Sequence, residues 1–197
     1  MWSIFKPSEE TLATFLIAQS SLPPSYAEVG ATAATPPAGY TVDHNRVQLG
    51  AGQAVFDAAC NALRRWQQFP APMASIHPAT TPIQPGYTVV MLARVLGLWW
   101  LNGARIVYVI DEATPLRRFG FAYGTLPDHV ERGEERFCIE HHADDTVWYD
   151  ILAFSRPRYW MTRLAYPLAR RMQKRFVEQS KAAMVRAVAG AKENARG

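Results

Sequence analysis

A chain of 197 residues with 49% hydrophobic and 19% charged side chains is long enough for one domain with a real core, and that balance excludes a largely disordered protein. The two cysteines, Cys60 and Cys138, are too few and too widely separated for a disulfide framework or a CxxC-type zinc site. Net charge is +4 but unevenly spread: from Arg156 onward there are eleven Lys or Arg and only Glu178 and Glu193 as acids, against ten basic and fifteen acidic residues before it. That asymmetry reads either as a solvated helix face drawn to an acidic body or as an attachment surface for an anionic partner.

Residues 7–20 have the features of a helix: Ser8 can cap the start, Glu9 and Glu10 complement the dipole, and Leu12, Phe15 and Leu16 form an apolar stripe. Those acids beside Lys6, and the lack of a continuous apolar stretch, argue against a signal peptide. Pro23, Pro24 and the small residues of 30–39 then form a loop, so 1–38 is a helix-and-loop arm. Residues 40–49 alternate as a strand. Residues 52–68 form a helix with Val55, Phe56, Ala59, Cys60 and Leu63 on one side, ended by Pro70 and Pro72.

Six strands are predicted next, over 73–76, 88–95, 104–111, 118–123, 134–142 and 146–154, with Asp144-Asp145 as a tight turn before the last. Their short links, with no helix between, predict an antiparallel meander, so 39–155 is a helix plus a sheet. The longest apolar run, 87–101, is interrupted by Arg94 and too short to span a bilayer. A reducing, cytoplasmic setting is expected.

A long basic amphipathic helix over 156–190 completes the chain, followed by a frayed tail over 191–197. Trp160, Leu164, Leu168, Met172 and Phe176 recur every four residues, Ala183, Met184, Ala187 and Val188 continue the stripe, and Pro167 marks a kink or a fresh start. The predicted fold class is α+β: one domain with a curved antiparallel sheet of about six to seven strands and the C-terminal helix packed across it. That order resembles the helix-grip fold of the birch-pollen-allergen and START lipid-transfer superfamily, which implies an apolar cavity between sheet and helix.

Six segments carry a second resemblance: Tyr26-Ala-Glu-Val-Gly-Ala-Thr32, Gly39-Tyr-Thr-Val-Asp-His-Asn-Arg46, Arg105-Ile-Val-Tyr-Val-Ile-Asp-Glu112, Phe119-Gly-Phe-Ala-Tyr-Gly-Thr-Leu126, Glu131-Arg-Gly-Glu-Glu-Arg-Phe137 and Trp148-Tyr-Asp-Ile-Leu-Ala-Phe-Ser-Arg-Pro157. On these the chain is similar to the domain-of-unknown-function family nineteen-ninety of bacteria and plants. The resemblance spans nearly the whole chain and implies no reaction and no catalytic residue.

Among polar residues, His44 and Arg46 share one strand face, and Asp43 and Asn45 the other. The run from His129 through Glu131 and Glu134 to Arg136 is either a charged hairpin bridged internally to Arg132 and Arg136 or a proton-moving His–Glu loop. Asp150 shares a face with Trp148, Leu152 and Phe154, and there needs a partner, with Arg105 or Arg118 as candidates. Phe119, Phe121 and Tyr123 oppose Gly120, Ala122 and Gly124, whose bare face admits a close neighbour, by default the terminal helix. His141 and His142 point to opposite faces, so no metal site is expected there, and no GxSxG, Walker A, GxGxxG or HExxH pattern occurs.

The expected partner is a small apolar molecule or lipid, with Arg105, Phe121, Tyr123, Trp148, Tyr149 and Asp150 as ligand-binding candidates and no cofactor or metal. No catalytic role is assigned. An enzyme on this scaffold, of cyclase, hydratase or hydrolase type, would draw on His44, His129, Glu131 or Glu134. A third reading is weak electrostatic contact of the basic helix with an anionic membrane surface; nucleic acid is not expected as a partner.

Overall fold

The computed structural model describes residues 1–69, 71–158 and 166–194. Its elements, in chain order, are β1 (Trp2–Ser3), α1 (Glu9–Ser20), a 3-10 turn (Ala31–Ala33), β2 (Thr41–Ala51), α2 (Gln53–Arg64), β3 (Ala74–His77), β4 (Thr88–Val95), β5 (Leu98–Glu112), β6 (Arg117–Thr125), β7 (Glu131–His141), β8 (Thr146–Pro157) and a C-terminal helix, α3 (Tyr166–Asn194). Seven strands form one sheet in the order β2-β8-β7-β6-β5-β4-β3, and β1 adds to β5 beyond the end of β6. Every pairing is antiparallel. A strand and a helix, a six-strand meander and a long closing helix make this a helix-grip arrangement, the predicted fold class.

Local chemistry fixes the corners. Leu96 and Gly97, both at positive φ, make a two-residue turn between paired Val95 and Leu98. Asp144 Oδ1 accepts from the Thr146 amide at 3.1 Å beside Asp145 at φ 68°, the predicted tight turn. Gly133, at φ 152°, leaves no room for a side chain, because a Cβ there would lie 1.9 Å from the Phe154 carbonyl oxygen.

On the concave face, α2 contributes Val55, Phe56, Ala59, Cys60 and Leu63, and α3 contributes Met184 and Val188, to a core with Phe121, Phe137 and Tyr149. Aromatic rings interlock here: Phe121 and Phe137 lie 5.5 Å apart, and Phe69 bridges Phe137 to Phe176 of α3. The stripe predicted for α3 is followed from Met172 to Val188, and the helix extends past 190 to Asn194. Trp160, Leu164, Pro70 and the tail residues 195–197 lie outside the described residues.

The convex face is covered by the N-terminal arm rather than by the terminal helix, a correction to the default reading of the small residues on β6. Leu12 and Phe15 of α1 pack on Val90, Leu92 and Leu101. Tyr26 then lies so close to Gly124 that a Cβ there would meet its hydroxyl at 2.0 Å. Gly120 is bare for another reason: its Cβ would stand 2.3 Å from the Phe137 carbonyl oxygen on the neighbouring strand.

Candidate ligand-binding cavity

Where α3 leaves the sheet, the core gives way to a cavity of about 730 Å³. Its apolar lining includes Met73, Met91, Tyr123, Ala153, Met172 and Phe176. Leu96, at the tip of the β4–β5 turn, is 75% exposed and also lines the cavity, so it marks a place where the cavity meets solvent. Because strand side chains alternate, the cross-strand register decides what else looks inward. Asp43 of β2, Ala153 of β8, Glu135 of β7 and Tyr123 of β6 form one row across four strands.

The polar groups of this wall include Asp43, Glu131 and Glu135, His129 just before β7, and Lys174 and Glu178 of α3. Arg170 of α3 holds Asp43 through both guanidinium nitrogens, Nη2 donating to Oδ1 at 2.6 Å. Gln173 Nε2 donates to Glu131, and the Tyr123 hydroxyl donates to Glu135 at 2.9 Å. Burial raises the Glu131 carboxyl above its usual range and pushes Glu135 up to about 7, with repulsion from Glu131 and Asp43 adding to the latter. Burial likewise lifts the Tyr123 phenol well above 10. His129 is pushed down to about 4 by burial. Its Nδ1 accepts from the Glu131 amide at 3.0 Å, which assigns the proton of the neutral ring to Nε2.

The sequence-predicted site residues divide between the two faces. Tyr123 lines the cavity; Phe121 and Tyr149 lie in the packed core beside it, where the Tyr149 hydroxyl meets Ser180 of α3 at 3.0 Å. Arg105, Trp148 and Asp150 are not among the lining residues. Arg105 donates to the Ser20 carbonyl at 2.7 Å and so anchors the end of α1. Asp150 finds its partners in neither Arg105 nor Arg118. Arg136 Nη2 donates to its Oδ1 at 2.8 Å, and His44 Nε2 lies 2.6 Å from its Oδ2. Arg46 joins this convex-face network through Glu140 at 2.8 Å and stacks over Trp148 at 4.9 Å.

Of the acid–base candidates, His44 is therefore an ion-network residue away from the cavity. Glu134 is the lock of the N-terminal arm. Tyr26 Oη and the Gly30 amide each donate to its Oε2 at 2.7 Å, and the Thr32 amide donates to Oε1 at 2.9 Å with the Thr32 hydroxyl on the same oxygen. His129 and Glu131 do line the cavity, but the hydrogen bond between them runs through the Glu131 amide, not its carboxyl. Of the two bridges expected within a charged hairpin, to Arg132 and Arg136, the one to Arg136 is not made, since Arg136 serves Asp150. Glu135, the carboxyl most changed by its surroundings, was not among the predicted site residues; its parity with Phe137 was the available signal.

Among the described residues no group of three or more His, Cys, Asp or Glu is placed to hold a metal ion, and no helix is long and apolar enough to cross a membrane. Cys60 and Cys138 are buried and unpaired, and burial pushes both thiols up to about 12. On α3, Lys181 pairs with Glu178, while Arg171, Lys174, Arg175 and Arg186 are exposed.

Residues 25–183 match the family described as Domain of unknown function (DUF1990). A UPF0548 protein of Deinococcus radiodurans is 37% identical over 95% of this chain and 98% of its own length. A UPF0548 protein of Dictyostelium discoideum is 40% identical over 80% of this chain and 76% of its own. Among solved structures, Ara h 8.0201 aligns over 77% of this chain and 99% of its own at 14% identity, with a TM-score of 0.48. Human STARD10 aligns over 96% and 82% at 10% identity, with a TM-score of 0.40.

Proposed function

The chain belongs to the DUF1990 family, and we propose that it binds a small apolar molecule or lipid in the cavity between its sheet and C-terminal helix. The observation that carries this reading is the cavity itself. Protein interiors pack to crystal-like density with few voids larger than a water molecule. A space of about 730 Å³, open to solvent beside Leu96 and walled by methionine, alanine and aromatic side chains, is left unfilled at the edge of that core, and it falls in the size range of small-molecule sites. The flexible thioethers of Met73, Met91 and Met172 can adjust to the outline of a guest.

The test is a fluorescence titration with N-phenyl-1-naphthylamine, an uncharged probe that brightens in apolar surroundings. One saturable site per folded chain is expected, with a dissociation constant of about 10 μM or tighter. A response that rises without saturating, or that is as large for the unfolded chain, would remove the reading.

A further inference from the structure

The cavity wall is electrostatically incomplete. Glu131 and Glu135 stand four residues apart on one strand and face the same way, so their carboxyls share one region of a mostly apolar space. Each is held by a neutral donor, Gln173 or Tyr123, and no cation lies within ion-pair distance of either among the described residues. Arg170 is felt by Glu131 but commits both terminal nitrogens to Asp43, and Lys174, a cation lining the cavity, is exposed and pairs with neither carboxyl. Glu135 Oε2 takes the Tyr123 hydroxyl, and its other oxygen has no protein partner among the described residues. A second unanswered group lines the same cavity: His129 is 7% exposed, and its Nε2–H has no acceptor among the described residues.

Acids gathered at a protein surface are solvated and need no ligand. Here two half-buried carboxyls line a mostly apolar cavity, where an ionised carboxylate is less well solvated than at an open surface and a cation would stabilise it. We propose that the ligand is an apolar amine, its hydrocarbon body in the cavity and its ammonium seated between Glu131 and Glu135. This rests on the cavity being the binding site and adds the chemical class of its occupant. An ammonium supplies the missing charge with three donors, one for the open oxygen of Glu135. A fatty acid would bring a third like charge to the wall, and an alcohol would leave the charge unanswered.

Around Glu135 stand Asp43 on β2, Tyr123 on β6, Glu131 on its own strand and Tyr149 on β8; from α3, Arg170 holds Asp43, and Lys174 and Glu178 line the same cavity. Burial brings Glu135 near neutrality, to about 7, and also raises Glu131. Ammonium binding requires the ionised carboxylate. Amine affinity should therefore rise with pH through about 7 and fall up to tenfold per unit below it, if one proton leaves on binding.

The experiment displaces N-phenyl-1-naphthylamine with decylamine, decanol and decanoate, which share one chain and differ in head charge, each kept monomeric. Decylamine is expected to bind about ten- to a hundredfold more tightly than decanol, with decanoate the weakest. In Glu135→Gln and Glu131→Gln the advantage of the amine should shrink about tenfold while decanol stays within about twofold. Should either variant fail to fold, the pH profile of the unaltered protein carries the same test, since decylamine is cationic throughout pH 5.5–8.5 and decanol never is. Decanol or decanoate binding as tightly as decylamine would overturn the amine while leaving the cavity reading intact. Absence of probe binding would overturn both.

Discussion

Glu134→Gln is expected to lower the free energy of unfolding by about 3 kcal/mol and to loosen the N-terminal arm from the sheet. Four donors converge on the two carboxyl oxygens: Tyr26 Oη and the Gly30 amide on one, the Thr32 amide and hydroxyl on the other. Glutamine offers one acceptor oxygen and one NH2 group. Either orientation of its amide sets the NH2 against one hydroxyl, which can turn to accept, and one backbone N–H, which cannot, so no flip resolves the clash. Glu134 is 2% exposed, so water has little access to compensate.

The loss should be read in urea by a lower midpoint and in heat by a fall of roughly 6–12 °C in Tm. Amide exchange should quicken first in the arm around Tyr26 and Thr32, ahead of β7 and β8, because the arm's contacts are those removed. A midpoint shift below about 0.5 kcal/mol would mean that the arm is held by its apolar contacts, such as Tyr26 on Phe154, rather than by this carboxylate. The same geometry explains why Tyr26, Gly30 and Thr32 stand together in one of the segments resembling the family: all three serve one buried acid.

Ala153→Phe is expected to abolish most probe binding at little cost in stability. Ala153 sits between Asp43 and Glu135 in the inward row, so a phenyl ring there projects into space that is already empty. Removing about 100 Å² of ligand contact at ~25 cal/mol per Å² costs about 2.5 kcal/mol, or roughly fiftyfold in affinity. Stability should change by no more than about 1 kcal/mol, because no packed neighbour must move. A variant that folds and binds the probe as before would place the site elsewhere. The same enlargement at Ala122, on the opposite face of β6 and fully buried, should destabilise instead.

The strands, the order of elements and the amphipathic C-terminal helix were legible because hydrophobic periodicity and turn chemistry are local signals. Asp144-Asp145 and the Thr88–Val95 strand are read directly from residue types. The inner and outer faces were harder to tell apart, because this sheet is covered on both. Trp148, Leu152 and Phe154 look like a core face, yet their side chains lie with that of Asp150 on the convex face, under the arm and the charged network. Buried on two sides, a strand loses the polar–apolar alternation that would identify its inward face.

The partner of Asp150 depended on register. Nothing in the sequence near Arg136 announces that β7 and β8 pair so as to bring its guanidinium to 2.8 Å from that carboxylate. Parity along β7 was available, however. Phe137 faces the core, so Glu135 and Glu131 must face inward with it, and Glu134 must face outward with Arg136. Of the three carboxylates in the run from His129 to Arg136, that alternation singles out Glu131 and Glu135 as the inward pair, not Glu131 and Glu134.

The most direct test of the cavity as a binding site is methyl NMR of protein labelled at its six methionines, titrated with N-phenyl-1-naphthylamine. Met73, Met91 and Met172 line the cavity, Met184 is fully buried in the core beside it, and Met1 is exposed on β5's edge. The expected result is that the methyls of Met73, Met91 and Met172 shift together and saturate at one probe per chain, while those of Met184 and Met1 stay in place. Shifts confined to Met1, or saturable binding that leaves the three cavity methyls unmoved, would contradict the account.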